Sequence, residues 1–382
     1  MRLLHTGDLH IGKRLNEFSL AEDQRFILAE LRRLAQDRRV DALVIAGDVY
    51  DKSLPSGEAV SLLDEFLTGL HQDGIPVLLI SGNHDSPERL GFGARLLAQG
   101  GLFISTELST QPRPWEFSDA YGKVQLWPLP FVRPAAARHA LDDESLLSYE
   151  QAVRAMLSRM ERDAGARQVL LSHQFVVSGQ QQPEQCDSEQ LSLGGVDQVD
   201  VSAFAGFDYV ALGHLHGPQQ VGRPTVRYAG SPLQYSFSEL HHHKSAVLVE
   251  LGSEHHVQWE LLPLRPLHSL RQIRGPLSRL ISPEVVSAAP AEDYIRAILT
   301  DEEDLFRPLD QLRRVYPHIM QLLFENSHSS TGLRADSRPL AEEKSPFEHF
   351  CSFYQQQQGR ELSEDKLQYL RRLLQEIGEE QA

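Results

Sequence analysis

The sequence predicts an α/β fold with two β-sheets, followed by a small α+β module and a helical C-terminal tail. Three observations carry this prediction. Apolar runs of strand length alternate with helical repeats in the first third, short strand-like runs between Gly and Pro residues follow, and an apolar stripe at helical spacing ends the chain. A length of 382 residues, with 41% hydrophobic and 24% charged residues, is typical of a globular protein of two or three domains.

The first third of the chain repeats a strand–helix unit. Arg2–Thr6, residues 41–46 (DALVIA) and residues 75–80 (IPVLLI) are apolar strands, and helices lie between them. Ser19 and Glu22 have the spacing of a capping box at the start of the first helix. The second helix is predicted to bury four apolar residues: Val60, Leu63, Leu67 and Leu70. This alternation favours right-handed crossovers and a sheet covered on both faces.

The middle of the chain continues the alternation of strands and helices and then changes to short strands. It contains predicted strands over residues 124–127, 168–172 and 208–212 and a helix over residues 150–162. After Gly217, residues 225–229 and Ser245–Leu251 resemble antiparallel hairpin strands between Gly and Pro residues. We expect both of these strands to complete a second sheet.

A small βαβ-like module begins near Leu270. Residues 293–300 alternate, with Ile295, Ala297 and Leu299 on one side, and Ile319–Phe324 is another strand candidate. The intervening helix begins either at a capping box of Thr300 and Glu303 or at Pro308, since proline suits the first position of a helix.

The tail is predicted to be a linker and a terminal amphipathic helix. Residues 327–344 are polar and lack periodicity, and Ser363 is a good N-cap for the helix that follows. The helix carries one apolar stripe: Leu367, Leu370, Leu373, Leu374 and Ile377. The stripe must be buried, either against its own chain or against a partner.

Charge and cysteine content exclude several classes of protein. Lys plus Arg number 37 against 53 Asp plus Glu, a formal charge of −16, which argues against binding nucleic acid through a wholly basic surface. Cys186 and Cys351 are too few and too far apart for a zinc ribbon or a disulfide scaffold. No segment approaches the ~20 apolar residues that span a bilayer, so we expect a soluble cytoplasmic protein without a membrane partner.

Asp, Asn and His residues follow five predicted strands where each strand ends. They are Asp8 and His10, then Asp48, then Asn83, His84 and Asp85, then His173, and finally His214 and His216. The carboxyl ends of strands in an open α/β sheet form one edge, where ligands bind. Each residue alone has a structural explanation, such as a turn cap or a hydrogen-bonded histidine. Their recurrence, with Gly directly before several of them to let the backbone approach an ion, indicates one functional site.

The residue types fit two divalent metal ions. Seven side chains are candidate ligands: Asp8, His10, Asp48, Asn83, His173, His214 and His216. Asp8 with His10, and His214 with His216, are two apart, so an extended backbone would point both members of a pair to the same side. The set is too nitrogen-rich for a dedicated magnesium or calcium site and lacks thiolates, which leaves manganese, iron or zinc. The positive charge left by two carboxylates on two ions favours a phosphate ester as substrate.

His84 has a different predicted role from the ligands around it. It is placed to contact the scissile phosphate, stabilise the developing charge and protonate the leaving alkoxide. Asp85 either orients His84 or caps the next turn, and the structural role is favoured.

These motifs resemble those of the calcineurin-like metallophosphoesterases. The matching segments are GDLH at residues 7–10, GDVYD at 47–51, GNHD at 82–85, SHQF at 172–175 and GHLH at 213–216. More narrowly, the start MRLLHTGDLHIG and YAGSPLQYSFSE at residues 228–239 are similar to the nuclease subunits of bacterial DNA-break repair complexes, counterparts of the archaeal and eukaryotic double-strand-break nuclease.

The resemblance implies a two-sheet αββα metallophosphoesterase sandwich with a cap domain. It implies a manganese-dependent DNA nuclease, exonucleolytic on duplex ends and endonucleolytic on hairpins, that acts in repair, recombination and replication. One ion is assigned to Asp8, His10, Asp48 and His216, the other to Asp48, Asn83, His173 and His214, with His84 catalytic. The implied domains are a nuclease domain (1–268), a DNA-binding cap (269–326), a linker (327–345) and helices (346–382) that bind the coiled coil of an ATPase partner, in a heterotetramer with a nuclease homodimer.

One departure and several alternatives accompany this resemblance. Archaeal and eukaryotic relatives carry a second catalytic His where this chain has Asp51, so we give Asp51 no catalytic role. A phosphatase or cyclic-nucleotide phosphodiesterase with the same metal centre is the nearest rival, and a non-catalytic scaffold is a third hypothesis. The ATPase partner and the metal ions can supply positive charge, so this chain needs only a few basic residues to contact DNA. Lys13, Arg14 and Arg89 are the candidates. His241–His243 is interpreted as a hairpin turn.

Overall fold

Two six-stranded sheets form the centre of the molecule. The computed structural model describes residues 1–16, 18–189, 197–303, 305–325, 354, 366–368 and 370. In spatial order, the first sheet contains Val257–Pro263, Ser245–Leu251, Arg2–Thr6, Ala42–Ala46, Val77–Ile80 and Leu102–Ser105. The second contains Gln219–Val221, Arg223–Tyr228, Tyr209–Gly213, Arg167–His173, Gly122–Leu129 and Trp115–Asp119. The strands that alternate with helices along the chain run parallel to one another in each sheet, as that alternation predicts.

The sheets pack face to face and helices cover their outer faces. Alternate residues of the first sheet, such as Leu3 and Val44, pack on Leu126 and Val169 of the second. Helices Ala21–Asp37 and Gly57–Gln72 cover the other face of the first sheet, and Pro134–Leu141 and Tyr149–Leu157 cover that of the second. Central strands such as Ala42–Ala46 and Val77–Ile80 are therefore buried on both faces, which explains their continuous apolar sequences. This four-layer arrangement confirms the predicted αββα sandwich.

Short elements connect these layers. Arg14–Leu15 pairs with Phe18–Ser19, and Phe175–Val177 pairs with Gln198–Asp200. The shorter helices and 3₁₀ turns of this part of the chain are Pro87–Leu90, Ala94–Leu97, Ala98–Gly100, Val201–Phe204 and Phe237–Glu239.

A third, three-stranded parallel sheet follows the sandwich. Its strands are Leu270–Gly275, Tyr294–Leu299 and Ile319–Phe324, and its helices are Leu277–Leu280, Pro283–Val286 and Pro308–Arg313. Ile295, Ala297 and Leu299 are fully buried, as their alternation predicts. Of the two predicted starts of the last helix, the one at Pro308 is correct, since proline occupies its first turn.

Three local predictions were wrong. The helix Ala21–Asp37 begins after Leu20 without a side-chain cap, because Ser19 lies one residue too early and only approaches Ala21 N at 3.4 Å. Val60 is 46% exposed, since the buried face of its helix is centred on Leu63, Phe66 and Leu70. Ser245–Leu251 joins the first sheet instead of the second, antiparallel to Arg2–Thr6.

The predicted linker and almost all of the terminal helix lie outside the described residues. Within the stripe, Leu367 is half-buried and Leu370 is buried. None of the helices among the described residues combines the length and the apolarity that crossing a membrane requires.

Candidate metal centre

All eight predicted site residues meet at one edge of the sandwich. Both sheets contribute, because three strands of the first sheet and two of the second end there. The six buried side chains are Asp8, His10, Asp48, His173, His214 and His216, each at most 5% exposed. Asn83 and His84 are partly accessible and mark the open side of the site.

The ligating atoms of several of these residues lie close together. Three groups each keep their donor atoms within 4.8 Å of one another: Asp8 with His10 and His216, Asp8 with Asp48 and His173, and His10 with Asp48 and His84. Nε2 of His10 lies 3.1 Å from Nε2 of His216. Asp8, His10 and Asp48 each belong to two of the groups, so the three groups form one continuous cluster of donor atoms.

Asn83 brings two further histidines together. Its Oδ1 lies 3.0 Å from Nε2 of His173 and 3.0 Å from Nδ1 of His214. Nε2 of His173 is also 3.4 Å from Oδ2 of Asp48. The other ring nitrogen of His173, Nδ1, donates to the carbonyl oxygen of Ala46 at 2.8 Å, which leaves Nε2 as the ligating atom.

The extended backbone predicted for the paired residues was wrong. Asp8, His10, Asp48 and His214 have φ angles of 52°, 43°, 47° and 106°, so the chain is left-handed at these positions. Positive φ costs free energy for residues other than Gly, and such strain clusters at functional sites. Tight turns, held by hydrogen bonds such as Asp8 N to Gly47 O (3.0 Å), direct these side chains inward.

The glycines before the ligands make room for neighbouring protein groups. A Cβ on Gly213 would lie 1.9 Å from the carbonyl oxygen of Ala46, and one on Gly82 would lie 2.1 Å from Oδ1 of Asp48. A Cβ on Gly47 would lie 2.4 Å from Nδ1 of His173. The space at these glycines is thus taken by the ends of neighbouring strands and by the side chains of Asp48 and His173.

Burial and mutual contact set the charges of the site. Burial raises the pKa of Asp8 to about 7, against the opposing effect of His173 and His216. For Asp48 burial acts in the same direction, but the surrounding imidazoles, chiefly that of His173, hold its pKa well below its usual range. Burial acts to lower the pKa of His173, but Asp48 outweighs it and raises the value to about 9. The proton on His173 thus offsets the charge of Asp48.

The donor set fits divalent metal ions. Oδ2 of Asp8, Nδ1 of His10 and Nε2 of His214 are buried without a hydrogen-bond partner among the described residues. Buried polar atoms without partners are costly, and two facing imidazole nitrogens at 3.1 Å repel unless a proton or cation lies near them. Carboxylate oxygens, imidazole nitrogens and an amide oxygen together are ligands for manganese, iron or zinc.

His84 is held in a defined orientation at the open side. Its Nδ1 donates to the carbonyl oxygen of Asp51 at 2.8 Å, and its backbone N–H donates to Oδ1 of Asp48 at 2.9 Å. Nε2 therefore faces the site, 3.9 Å from Oδ2 of Asp48. The carboxylate of Asp51 instead accepts from Lys13 Nζ at 2.8 Å.

Asp85 has the structural role that its sequence position favours. Its carboxylate accepts three backbone N–H bonds, from Val49, Tyr50 and Gly82, at 2.9–3.1 Å. It therefore joins the loops that carry Asp48 and Asn83 and makes no hydrogen bond to His84.

Sequence reasoning missed two groups of residues at this site. Phe131 stacks on His214 with 22° between the rings, and Arg133 donates to the carbonyl oxygen of Asn83 at 3.2 Å. Both follow the strand Gly122–Leu129 at the same sheet edge, so a rule not limited to Asp, Asn and His would have found them. Glu239 is fully buried behind His216, in a contact that no local sequence signal indicates.

Comparison with known proteins agrees with this geometry. Residues 1–218 match the family model of calcineurin-like phosphoesterases, and residues 264–358 match that of the type 5 capsule protein repressor C-terminal domain. The chain is 32% identical to the D subunit of nuclease SbcCD from Staphylococcus epidermidis, over 97% of this chain and 98% of that protein. It is 31% identical to the D subunit of nuclease SbcCD from Staphylococcus saprophyticus, over 88% of each. The chain therefore belongs to the calcineurin-like phosphoesterase family and, within it, to the family formed by the D subunits of SbcCD nucleases.

Proposed function

We propose that this chain is the nuclease subunit of an SbcCD complex and hydrolyses DNA phosphodiester bonds with two divalent metal ions. The observation that carries the proposal is the meeting of seven metal-ligating side chains and His84 at one edge of the sandwich. In the complex it acts as an ATP-dependent double-strand exonuclease and as an endonuclease on hairpins and single strands, in the cytoplasm at the nucleoid.

Two ligand sets share Asp48 in this proposal. Asp8, His10, Asp48 and His216 hold one ion, and Asp48, Asn83, His173 and His214 hold the other, with Mn²⁺ favoured over Fe²⁺ and Zn²⁺. When bound, two divalent ions offset the charge on the phosphoryl oxygens and activate the attacking water.

His84 handles the leaving group. The Asp51 carbonyl holds the proton on Nδ1, so the proton available to the leaving alkoxide is the one on Nε2. Its side chain is only 9% exposed, which keeps the ring in place at the open side of the site. Fixed placement lets it stabilise charge on the phosphoryl oxygens without reorganisation.

Arg133 binds the substrate backbone. It is exposed, its guanidinium lies over the ring of Phe131 at 5.3 Å, and one of its N–H groups is bonded to the Asn83 carbonyl. Among the described residues no carboxylate forms an ion pair with it, so its other donors can contact a phosphate. Lys13, by contrast, is already paired with Asp51.

The remaining parts of the chain contact DNA and partners. We assign residues 1–268 to the nuclease domain, 269–326 to a DNA-binding cap, 327–345 to a linker and 346–382 to helices that bind the coiled coil of the ATPase subunit, SbcC. A homodimer within a heterotetramer is supported by the exposed apolar side chains of Phe92, Leu96 and Leu97.

The experiment is digestion of a linear duplex and a DNA hairpin with Mn²⁺ or Mg²⁺, with and without SbcC plus ATP. We expect the duplex to be shortened from its ends and the hairpin to be opened, with Mn²⁺ and not with a chelator. A wild-type chain that cleaves neither DNA but hydrolyses phosphoproteins or cyclic nucleotides would support the rival phosphatase or phosphodiesterase.

A further inference from the structure

A buried ion pair lies directly behind one of the proposed ligands, His216. Glu239 is fully buried and Lys244 is 6% exposed. Oε2 of Glu239 accepts from Nζ of Lys244 at 2.5 Å. The pair belongs to the segment that leads from the second sheet to the strand Ser245–Leu251. Burying two charges is expensive, so such a pair needs many compensating contacts.

Both members of the pair contact His216 or its backbone. Nζ of Lys244 donates to the carbonyl oxygen of His216 and to Oγ of Ser231, each at 2.8 Å, so its three N–H donors are all used. Oε1 of Glu239 lies 3.4 Å from Nδ1 of His216. The pair thus holds this residue from the ring side and from the main chain.

Ser188 completes a hydrogen-bond relay to the ring. Its Oγ lies 2.8 Å from Nδ1 of His216 and 2.5 Å from Oε1 of Glu239. An ionised carboxylate only accepts, so the single hydroxyl proton of Ser188 goes to Glu239, and the serine oxygen must accept from His216. The proton of the neutral ring is therefore on Nδ1, and the lone pair on Nε2 points towards His10 and Asp8.

We propose that Glu239, charge-balanced by Lys244 and acting through Ser188, is a positioning residue that fixes the ring orientation and tautomer of His216 for metal binding. This positioning role rests on the ligand set proposed above. The buried carboxylate of Glu239 takes no direct part in the hydrolysis itself. A carboxylate hydrogen-bonded to the far nitrogen of a ligating imidazole raises the basicity of that ligand. His173 obtains its tautomer from the Ala46 carbonyl instead, so the two ions differ in how their ligands are fixed.

The test measures metal binding in the whole chain rather than cleavage. Ser188→Ala and Glu239→Gln are each titrated with Mn²⁺ while free Mn²⁺ is followed by electron paramagnetic resonance. We expect one of two metal equivalents to bind about 10- to 100-fold more weakly, and the other to keep wild-type affinity. NMR of protein with isotope-labelled histidine should show the His216 proton on Nδ1 in the wild type. In Ser188→Ala it should show a mixture of the Nδ1-protonated and Nε2-protonated tautomers.

Asp119→Asn is the matched control for general destabilisation. It removes a carboxylate that pairs with buried Arg167 at the far side of the sandwich. Its thermal midpoint should fall while both equivalents bind as in the wild type. Two equivalents at wild-type affinity in Ser188→Ala and Glu239→Gln would overturn the positioning role alone. A wild-type chain that binds no metal would overturn the ligand set as well.

Discussion

The catalytic role proposed for His84 differs from a ligand role at the scale of one residue. Its ring donates a hydrogen bond to the carbonyl oxygen of Asp51, and its backbone N–H donates one to Asp48. The ring also lies in a group of possible metal ligands with His10 and Asp48. Proximity alone would therefore allow it to be a ligand. What separates the two roles is the effect of its removal on bound metal.

His84→Gln should strongly slow cleavage and leave the metal in place. Gln keeps a hydrogen-bonding group but cannot transfer a proton, so we expect DNA cleavage to fall by about 10²–10⁴-fold. Metal content, measured by mass spectrometry after desalting, should stay at the wild-type value. His71→Gln is the matched control, because that exposed ring also donates to a carbonyl, that of Gly100. Loss of one metal equivalent in His84→Gln would make His84 a ligand.

His5 predicts an acid-sensitive fold. Burial between the sheets lowers the pKa of His5 from 6.5 to about 3. Its two ring nitrogens form hydrogen bonds with the hydroxyl of Tyr209 and the carbonyl oxygen of Leu212. At a pH between about 3 and 6.5, His5 binds a proton in the unfolded chain and not in the folded chain. The free energy of unfolding therefore falls as pH drops through this range, by up to about 1.4 kcal/mol per pH unit from this residue.

His5→Gln should remove that part of the pH dependence. Gln still offers one donor and one acceptor to Tyr209 and Leu212 but does not titrate in this range. Urea unfolding between pH 4 and 6 should show a slope of stability against pH that is shallower by about 1.4 kcal/mol per unit. Equal slopes for the variant and the wild type would contradict the buried neutral imidazole.

The sequence was most informative about residues whose role depends on local position. Asp8, Asp48 and Asn83 could be predicted because each follows the end of a strand within three residues and all such ends share an edge. Glu239 could not, because its burial depends on a segment that folds over His216 from elsewhere in the chain. The left-handed backbone at His10 was also missed, since local polar contacts and not the spacing of residues decide it.

At the scale of elements, one helix joins the sandwich to the three-stranded sheet. Asp23 of the helix Ala21–Asp37 is 2% exposed and accepts from Tyr294 OH at 2.6 Å and from His268 N at 3.1 Å. The rings of Tyr294, His268 and His318 pack together beside it, with centroids 5.3–5.4 Å apart. This junction holds the third sheet at a fixed position against the sandwich.

Asp23→Asn should loosen the junction without unfolding the sandwich. The variant loses charge-assisted acceptors for buried donors, a cost of about 1–3 kcal/mol. Hydrogen exchange should become faster in Leu270–Gly275 and Tyr294–Leu299 and stay unchanged in Ala42–Ala46. Asp200→Asn is the control, because that carboxylate accepts backbone N–H groups at a surface 3₁₀ turn far from the junction. Uniformly faster exchange throughout Asp23→Asn would instead indicate global destabilisation.

Strand positions were predicted better than strand partners. Ser245–Leu251 was predicted with its observed bounds but in the wrong sheet, since apolar alternation shows which residues are buried and not which strand they pair with. The cap of the first helix failed for a related reason. The pattern of Ser19 and Glu22 was present, but the chain turned into the helix one residue later.

At the scale of the whole molecule, the alternation of strands and helices in the sequence predicted the four-layer sandwich. It did not predict which apolar side chains are exposed at the surface. Phe92 is 86% exposed and lies in the turn between two short helices that follow the Asn83 loop, and Leu96 is 71% exposed on the second of these helices. Apolar side chains exposed together favour association, and a second copy of this chain is the proposed occupant of this surface.

Leu96→Glu should convert the proposed dimer to a monomer. A carboxylate in an apolar contact between two copies is unpaired and costly to bury, so sedimentation velocity should show the mass of one chain in place of two. Leu147→Glu is the control, because Leu147 is similarly exposed, at 75%, but lies in the loop before the helix Tyr149–Leu157. A dimeric Leu96→Glu variant would place the interface elsewhere.

The central position of the strand Arg2–Thr6 has a consequence for synthesis of the protein. This strand, which leads into Asp8 and His10, pairs on one side with Ser245–Leu251. On the ribosome its neighbour does not exist until about 250 residues have been made, roughly 12 to 50 s after initiation at typical rates. Chains that end before Glu239 therefore lack both the strand Ser245–Leu251 and the Glu239–Lys244 pair, so such nascent or truncated products should not be active nucleases.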